Sequence, residues 1–346
     1  MAFFLRSADL GRVWKEIVGA RWDFLAVSFA FTIVSHLLRV ERWRHMLRPI
    51  GSANFRNAFR ATTMGFAASA MLPGRVGEVL RPYIFARREG VSATAAFATV
   101  VLERVIDVLS VLLLMAACQL VLRPVIPVAD KDLLGAFQNV AIAAGVVGFL
   151  LLGLGFLAGK DPARSARAIL RLGHAAPSSL GGWIARLVQR FMEGLAVMHS
   201  TRPLGIAVVL SLPLGLFAAL SIWSVSNGFG IPMSVSGSTL ILGCVLLGLA
   251  VPTPAGIGGY HAAYQLGVTA LYGASTDSVV GAAVVLHAIS FLPVTIVGLV
   301  FMVQEGVQLT GIRGLVINNE SDEDPVNQGP KQSLPISVSE DEGSLR

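Results

Sequence analysis

Six charged side chains in two short stretches have the types and spacing to do chemistry. Arg75, Glu78 and Arg81 lie in LPGRVGEVLR (72–81), and Glu103, Arg104 and Asp107 lie inside the apolar run ATAAFATVVLERVIDVLSVLLL (93–114). Charges in so apolar a setting are expensive unless paired, turned inward or wetted, so they mark a site or a structural fastening. The guanidinium forks of Arg75, Arg81 and Arg104 suit phosphate oxygens, and the three carboxylates can hold those arginines in place. Two alternatives stay open: a neutral lock of three positive and three negative groups, or a lock that also meets an anionic headgroup.

A second candidate stretch carries no charge. In VPTPAGIGGYH (251–261), Gly256, Gly258 and Gly259 allow close backbone approach, and their amides can receive an anion. Tight helix packing through small residues explains the same glycines equally well. His261, between Tyr260 and Tyr264, is either a headgroup donor or a satisfied structural histidine. His36 and His287 lack ligand partners at helical spacing, so no metal is expected. Trp22, Trp43 and Trp183 fit interfacial anchoring. Glu103 and Asp107 mimic one acidic magnesium-binding pair, but Arg104 stands between them. No P-loop is present, and no cofactor is expected.

The surroundings of these residues are those of an all-α integral membrane protein that crosses the bilayer several times. Hydrophobic residues make up 54% of the 346, charged residues 14%, and the mean hydropathy is +0.69. Between Pro203 and Gln304 the only Asp, Glu, Lys or Arg is Asp277. Roughly 20 apolar residues suffice for one crossing, so several spans fit there. The net charge of +6 conceals an acidic C-terminus: from Glu320 onward there are seven acids and two bases, leaving 25 bases against 14 acids on the body. Basic flanks of apolar segments point to cytoplasmic loops and anionic headgroups rather than to nucleic acid. Cys118 and Cys244 lie in apolar runs and suggest no disulfide.

Taken in order, residues 1–21 hold an interfacial amphipathic helix with Leu10, Val13, Trp14, Ile17 and Val18 on its stripe. Residues 22–316 form the membrane domain, and 317–346 an acidic tail expected to be disordered. The domain divides into halves at 22–158 and 203–305, joined by a basic cytoplasmic loop, 159–202. That loop carries seven Lys or Arg and a second amphipathic stripe at Ile184, Leu187, Val188, Phe191, Met192 and Leu195. In the first half come a minimal span at 24–38, the cluster Arg39, Arg42, Arg44 and Arg48 read as cytoplasmic, and a short segment at 58–72. A long helix at 93–122, capped by Ser92, follows and puts Glu103 and Asp107 one turn apart on one face. The second half repeats the order with a span at 203–226, short segments at 236–251 and 260–273, and a span at 279–304. Broken segments in corresponding halves point to re-entrant helices and an inverted repeat with a site near the midplane.

With these motifs in hand, the chain resembles a known family. Leu72-Pro73-Gly74-Arg75-Val76-Gly77-Glu78, Glu103-Arg104-x-x-Asp107 and Pro252-Thr253-Pro254-x-Gly256-x-Gly258-Gly259 together are similar to motifs of the lysylphosphatidylglycerol synthase transmembrane-region family. That family includes the YbhN-like proteins and the flippase domain of the multiple peptide resistance factor, and the likeness spans residues 20–305. It implies a multi-pass bacterial inner-membrane protein, not an enzyme, that binds or translocates a lipid. An anionic phospholipid is one candidate cargo. The branch associated with hopanoid synthesis loci offers a polycyclic lipid as another. Two departures stand out: no aminoacyl-transfer domain follows, and the usual first span ahead of Trp22 is missing. A noncatalytic partner of a lipid-modifying enzyme and an intramembrane prenyl-diphosphate transferase are the competing functions.

Overall fold

The computed structural model describes residues 9–72, 76–122, 131–161, 200–251 and 253–305, together with Arg164, Phe191 and Leu195. Arg75, Trp183, the acidic tail and most of the 159–202 loop lie outside the described residues. Every regular element among those described is helical. Ten α-helices run in the order α1 (Leu10–Gly19), α2 (Trp22–Leu47), α3 (Phe55–Met71), α4 (Val76–Glu89), α5 (Ala93–Leu122), α6 (Lys131–Lys160), α7 (Thr201–Gly228), α8 (Val235–Leu249), α9 (Gly259–Tyr272) and α10 (Thr276–Gln304). Short 3-10 turns at Arg48–Ile50 and Pro254–Gly256 precede α3 and α9. On length and composition α2, α7 and α10 can each cross a bilayer, which makes this a membrane protein with several crossings. Residues through Phe301 form one unit, and the described part of the second unit is the end of α10 and Glu305.

The element order repeats. Helices α2, α3, α4 and α5 begin at residues 22, 55, 76 and 93, and α7, α8, α9 and α10 begin at 201, 235, 259 and 276. The starts are thus offset by 179, 180, 183 and 183 residues. The two leading helices pack antiparallel: the Arg21 amide donates to the Gly228 carbonyl at 3.0 Å, the Ser224 hydroxyl to the Phe24 carbonyl at 2.6 Å, and the Ser28 and Ser221 hydroxyls meet at 2.7 Å. Small hydroxyls at these positions let two apolar helices approach closely and bond across the contact.

In each half the two short helices form a hairpin held by a pair of glycines. A Cβ on Gly77 would overlap the Gly65 carbonyl, and a Cβ on Gly259 would overlap the Gly248 carbonyl. These helices, of 17 and 14 residues in one hairpin and 15 and 14 in the other, rise only about 21–26 Å, short of a hydrocarbon core of about 30 Å. The undersized segments therefore fold back as the sequence spacing anticipates. Caps begin them: the Asn54 side chain accepts from the Arg56 amide and the Ser234 hydroxyl from the Gly237 amide. The second break is built from backbone that only small residues adopt easily, with Ala255 at φ 51°, Gly256 at φ 71° and Gly258 at φ 100°.

The base of the first hairpin is stapled by Glu89. Its carboxylate accepts from the Ser52 hydroxyl at 2.5 Å, from Asn57 Nδ2 at 2.7 Å and from the Asn54 amide at 3.3 Å. Burial works to raise this carboxyl, but the hydrogen bonds from Ser52, Asn57 and Asn54 outweigh it and hold it below its ordinary range.

Helix α1 is capped by Asp9, which accepts from the Gly11 and Arg12 amides. Its stripe divides: Val13 and Ile17 pack into the core, whereas Leu10, Trp14 and Val18 face outward. The Asp9 amide donates to Asp277 at 3.1 Å and Ser278 to Glu16 at 3.0 Å, which ties α1 to the start of α10. Of the predicted 184–195 stripe, the two described residues, Phe191 and Leu195, pack against a cluster that includes Met46, Leu102 and Ala207. They meet protein rather than the bilayer surface.

Candidate functional site: an arginine and carboxylate cluster

Helix α5 sets the site because Glu103 and Asp107, one turn apart, project on a single face toward α2 and α4. Glu103 is fully buried. Its Oε1 lies 2.9 Å from Arg42 Nη2, 3.0 Å from Arg104 Nη2 and 3.5 Å from Arg39 Nη1, and its Oε2 accepts from Arg81 Nη1 at 3.0 Å. Asp107 Oδ1 accepts from Arg42 Nη1 at 2.5 Å, and its Oδ2 faces Arg39 at 3.5 Å and Arg104 at 3.6 Å. All four carboxylate oxygens are thus taken by guanidinium groups.

The four arginines fall into two kinds. Arg42 has no exposed surface, and its Nη1 also donates to Ser211 Oγ of α7 at 2.7 Å. The Arg81 side chain is 6% exposed, and its guanidinium lies 3.8 Å over the Trp43 ring, where cation–π attraction adds to the ion pair. Trp43 is itself buried and donates through Nε1 to Thr99 Oγ1 at 3.0 Å. Arg39 and Arg104 are the reachable pair, with side chains 19% and 41% exposed. Nitrogens of all four arginines are buried without a hydrogen-bond partner among the described residues: Nε of Arg39 and Arg104, and Nε and Nη2 of Arg42 and Arg81. Glu78 on α4 adds its field to that of Arg104. Among the described residues, four guanidinium groups thus gather about Glu103 and Asp107, with Glu78 adding a third negative charge near Arg104, one positive group in excess.

Arg81, Glu103, Arg104 and Asp107 come together as the spacing suggests. Arg39 and Arg42, read from sequence as part of a cytoplasmic cluster, instead turn inward to the two carboxylates. The physical reason is that α2 does not end at Leu38 but continues to Leu47, and buried carboxylates demand counter-charge. A signal was present: Arg39 and Arg42 are spaced i, i+3, matching a face of α5 with charges at Glu103 and Asp107. Trp43 is likewise no interfacial anchor, because it forms the floor under Arg81, whereas Trp22 is 75% exposed.

The second candidate stretch is a separate, uncharged group on α9 and α10. The Gly256 amide donates to the Thr253 carbonyl within its own turn, and Gly259 serves close contact with Gly248, so packing accounts for both. Gly258 supplies the positive φ that starts α9. His261 is buried, its ring 4.7 Å from that of His287. His287 Nε2 donates to the Ala255 carbonyl at 2.9 Å, holding the one non-glycine residue with positive φ among those described. His36, the third histidine read as isolated, donates from Nε2 to the Ser290 carbonyl at 3.2 Å, one turn before Pro293 on α10.

The family described as the lysylphosphatidylglycerol synthase TM region matches residues 1–298. The chain belongs to this family. It is 30% identical over 101 residues to a UPF0104 membrane protein of Methanocaldococcus jannaschii, across 28% of this chain and 30% of that protein. A UPF0104 membrane protein of Methanothermobacter thermautotrophicus is 22% identical over 331 residues, 88% of this chain and 89% of its own length. The glycosyltransferase AglD of Haloferax volcanii is 24% identical over 332 residues, 86% of this chain. The chain spans less than a third of the first of these and about half, 52%, of AglD.

Proposed function

We propose that this protein is a flippase-like lipid transporter of the inner (cytoplasmic) membrane, with no catalytic role of its own, and that the cluster on α2, α4 and α5 receives an anionic lipid headgroup. The observation carrying this is the division among the arginines: Arg42 and Arg81 fasten the buried carboxylates, while Arg39 and Arg104 remain partly exposed on a net positive group. A phosphate that docks on those two replaces contacts of 3.5 and 3.6 Å to Asp107 with shorter charge-assisted bonds. Two hairpins of undersized helices, at corresponding places in the two halves, resemble the broken helices between which inverted-repeat transporters place such sites. The carboxylates do not suit a magnesium-dependent transferase, because guanidinium groups already occupy each oxygen.

The experiment is reconstitution in liposomes with fluorescent phosphatidylglycerol or phosphatidylcholine in both leaflets and a membrane-impermeant quencher outside. Faster access to the inner pool of phosphatidylglycerol with wild type, lost in the Arg39→Gln and Arg104→Gln double variant, is expected. Equal rates for empty and loaded liposomes would remove the transport reading.

The second reading is a membrane partner of a lipid-modifying enzyme. It is favoured by the relative named a glycosyltransferase, only about half of which this chain spans. Stable copurification of such an enzyme, with no lipid movement, would select it.

A further inference from the structure

Beside the charge cluster, α2, α3 and α10 enclose a cleft of about 120 Å³ whose walls are apolar, among them Ile33, Val40, Phe59, Pro293 and Val297. Its rim is open, with Val297 37% exposed. Three polar residues, His36, Thr62 and Thr63, interrupt the wall. Thr62 is 2% exposed, and its Oγ1 is buried with no hydrogen-bond partner. Its neighbour Thr63 shows what a satisfied threonine does on the same helix, donating to the carbonyls of Phe59 and Arg60 at 3.0 Å. A buried hydroxyl left unbonded costs about 1–3 kcal/mol, so Thr62 is a donor awaiting an acceptor.

The cleft wall brings a hydroxyl and hydrocarbon together, and the charge cluster adjoins it along α2. Arg39 follows the cleft residues His36 and Leu37 in the sequence of α2, and His36 in the cleft wall lies in its field. The cleft is open at its rim and its walls are mostly hydrocarbon, so it suits the start of a lipid chain rather than a charged headgroup. Resting on the headgroup reading above, we propose that the cleft seats the ester end of one acyl chain of a glycerophospholipid, with Thr62 donating to the ester carbonyl and the phosphate at Arg39. The cargo class is then an anionic glycerophospholipid, and a polycyclic lipid is disfavoured because it lacks the ester carbonyl that Thr62 would meet.

The test uses the full chain in liposomes and phosphatidylglycerol carrying a diazirine close to the ester of one acyl chain, with cross-linked peptides read by mass spectrometry. Labelling should fall on the segments around 33–40 and 293–297. Thr62→Val keeps the volume and removes the donor, so labelling should drop about threefold, the worth of one neutral hydrogen bond, while Thr63→Val leaves it unchanged. Val297→Trp, filling the cleft from its rim, should abolish labelling even if Thr62→Val folds poorly. Equal labelling by the phosphatidylcholine probe would reduce the cleft to ordinary lipid contact and overturn the proposal. So would unchanged labelling in Thr62→Val and Val297→Trp, or displacement of the probe by a polycyclic lipid and not by phosphatidylglycerol. Transport lost in the Arg39 and Arg104 double variant but intact in Thr62→Val and Val297→Trp would sink the cleft alone, whereas no transport by wild type sinks the headgroup reading.

Discussion

Arg42 and Asp107 are 65 residues apart in sequence, yet the buried guanidinium of Arg42 bridges Asp107 on α5 and Ser211 on α7. One side chain therefore ties a helix of the first half to the leading helix of the second. The bond forms where no water competes, so its partners are coupled far more tightly than exposed charges would be.

Glu103→Gln should lower stability by about 3–5 kcal/mol, because it leaves Arg81 without its carboxylate and Arg42 with Asp107 alone in a buried site. Arg104→Gln, at 41% exposure, should cost less than about 1 kcal/mol. Melting curves of the two variants in one detergent measure the gap, and equal melting temperatures would show that water reaches Glu103.

The glycine pairs give a test of the hairpins. Gly77→Ala and Gly259→Ala each push a methyl group into the carbonyl of the facing helix, and each should destabilise by about 1–3 kcal/mol. Gly153→Ala, which meets nothing within 4 Å, should be neutral or slightly stabilising because alanine favours helix. A neutral Gly77→Ala would mean that the α3–α4 contact is looser than described.

How much of this was legible in the sequence depends on what each residue had to reveal. The short segments around 58–72 and 236–251 announced the hairpins through their length, and the 93–122 helix through its apolar period. Ser92, predicted as a cap, accepts from the Ala95 amide at 3.3 Å. Pairing was harder. Arg39 and Arg42 look alike to a positive-inside argument, which sees charge beside an apolar run but not the face on which it lies. Their partners are more than 60 residues away, and the i, i+3 spacing shows only that the two arginines share a face, not which face they meet. Thr62 was invisible for a related reason: a threonine in a run of small residues reads as packing until its unbonded hydroxyl is located beside a cleft.

The Glu89 staple predicts a pH dependence. Hydrogen bonds hold its folded carboxyl below the ordinary range, so the stability it contributes is fully present above the unfolded value and is lost as pH falls through the folded one. Glu89→Gln should therefore melt below wild type at neutral pH, and the difference should vanish as the medium is acidified past the carboxylate range. A gap independent of pH would assign the loss to packing rather than to ionisation.

The last prediction concerns Ala255, which stands at φ 51° in the second break with its carbonyl held by His287. An L residue in this region carries strain of about 1–2 kcal/mol, and glycine does not. Ala255→Gly removes that strain but adds backbone freedom to the unfolded chain worth about 0.5–1 kcal/mol, so the net change should be small. Ala255→Val adds a β-branched side chain to the same backbone and should destabilise clearly. His287→Ala removes the bond that fixes the turn, leaving the Ala255 carbonyl without that donor. If His287 is what holds the strained turn, Ala255→Gly should be tolerated better in the His287→Ala background than Ala255 itself, giving a positive coupling in a double-mutant cycle of melting free energies. Strict additivity of the two changes would show that the turn is held by the α8–α9 glycine contact alone.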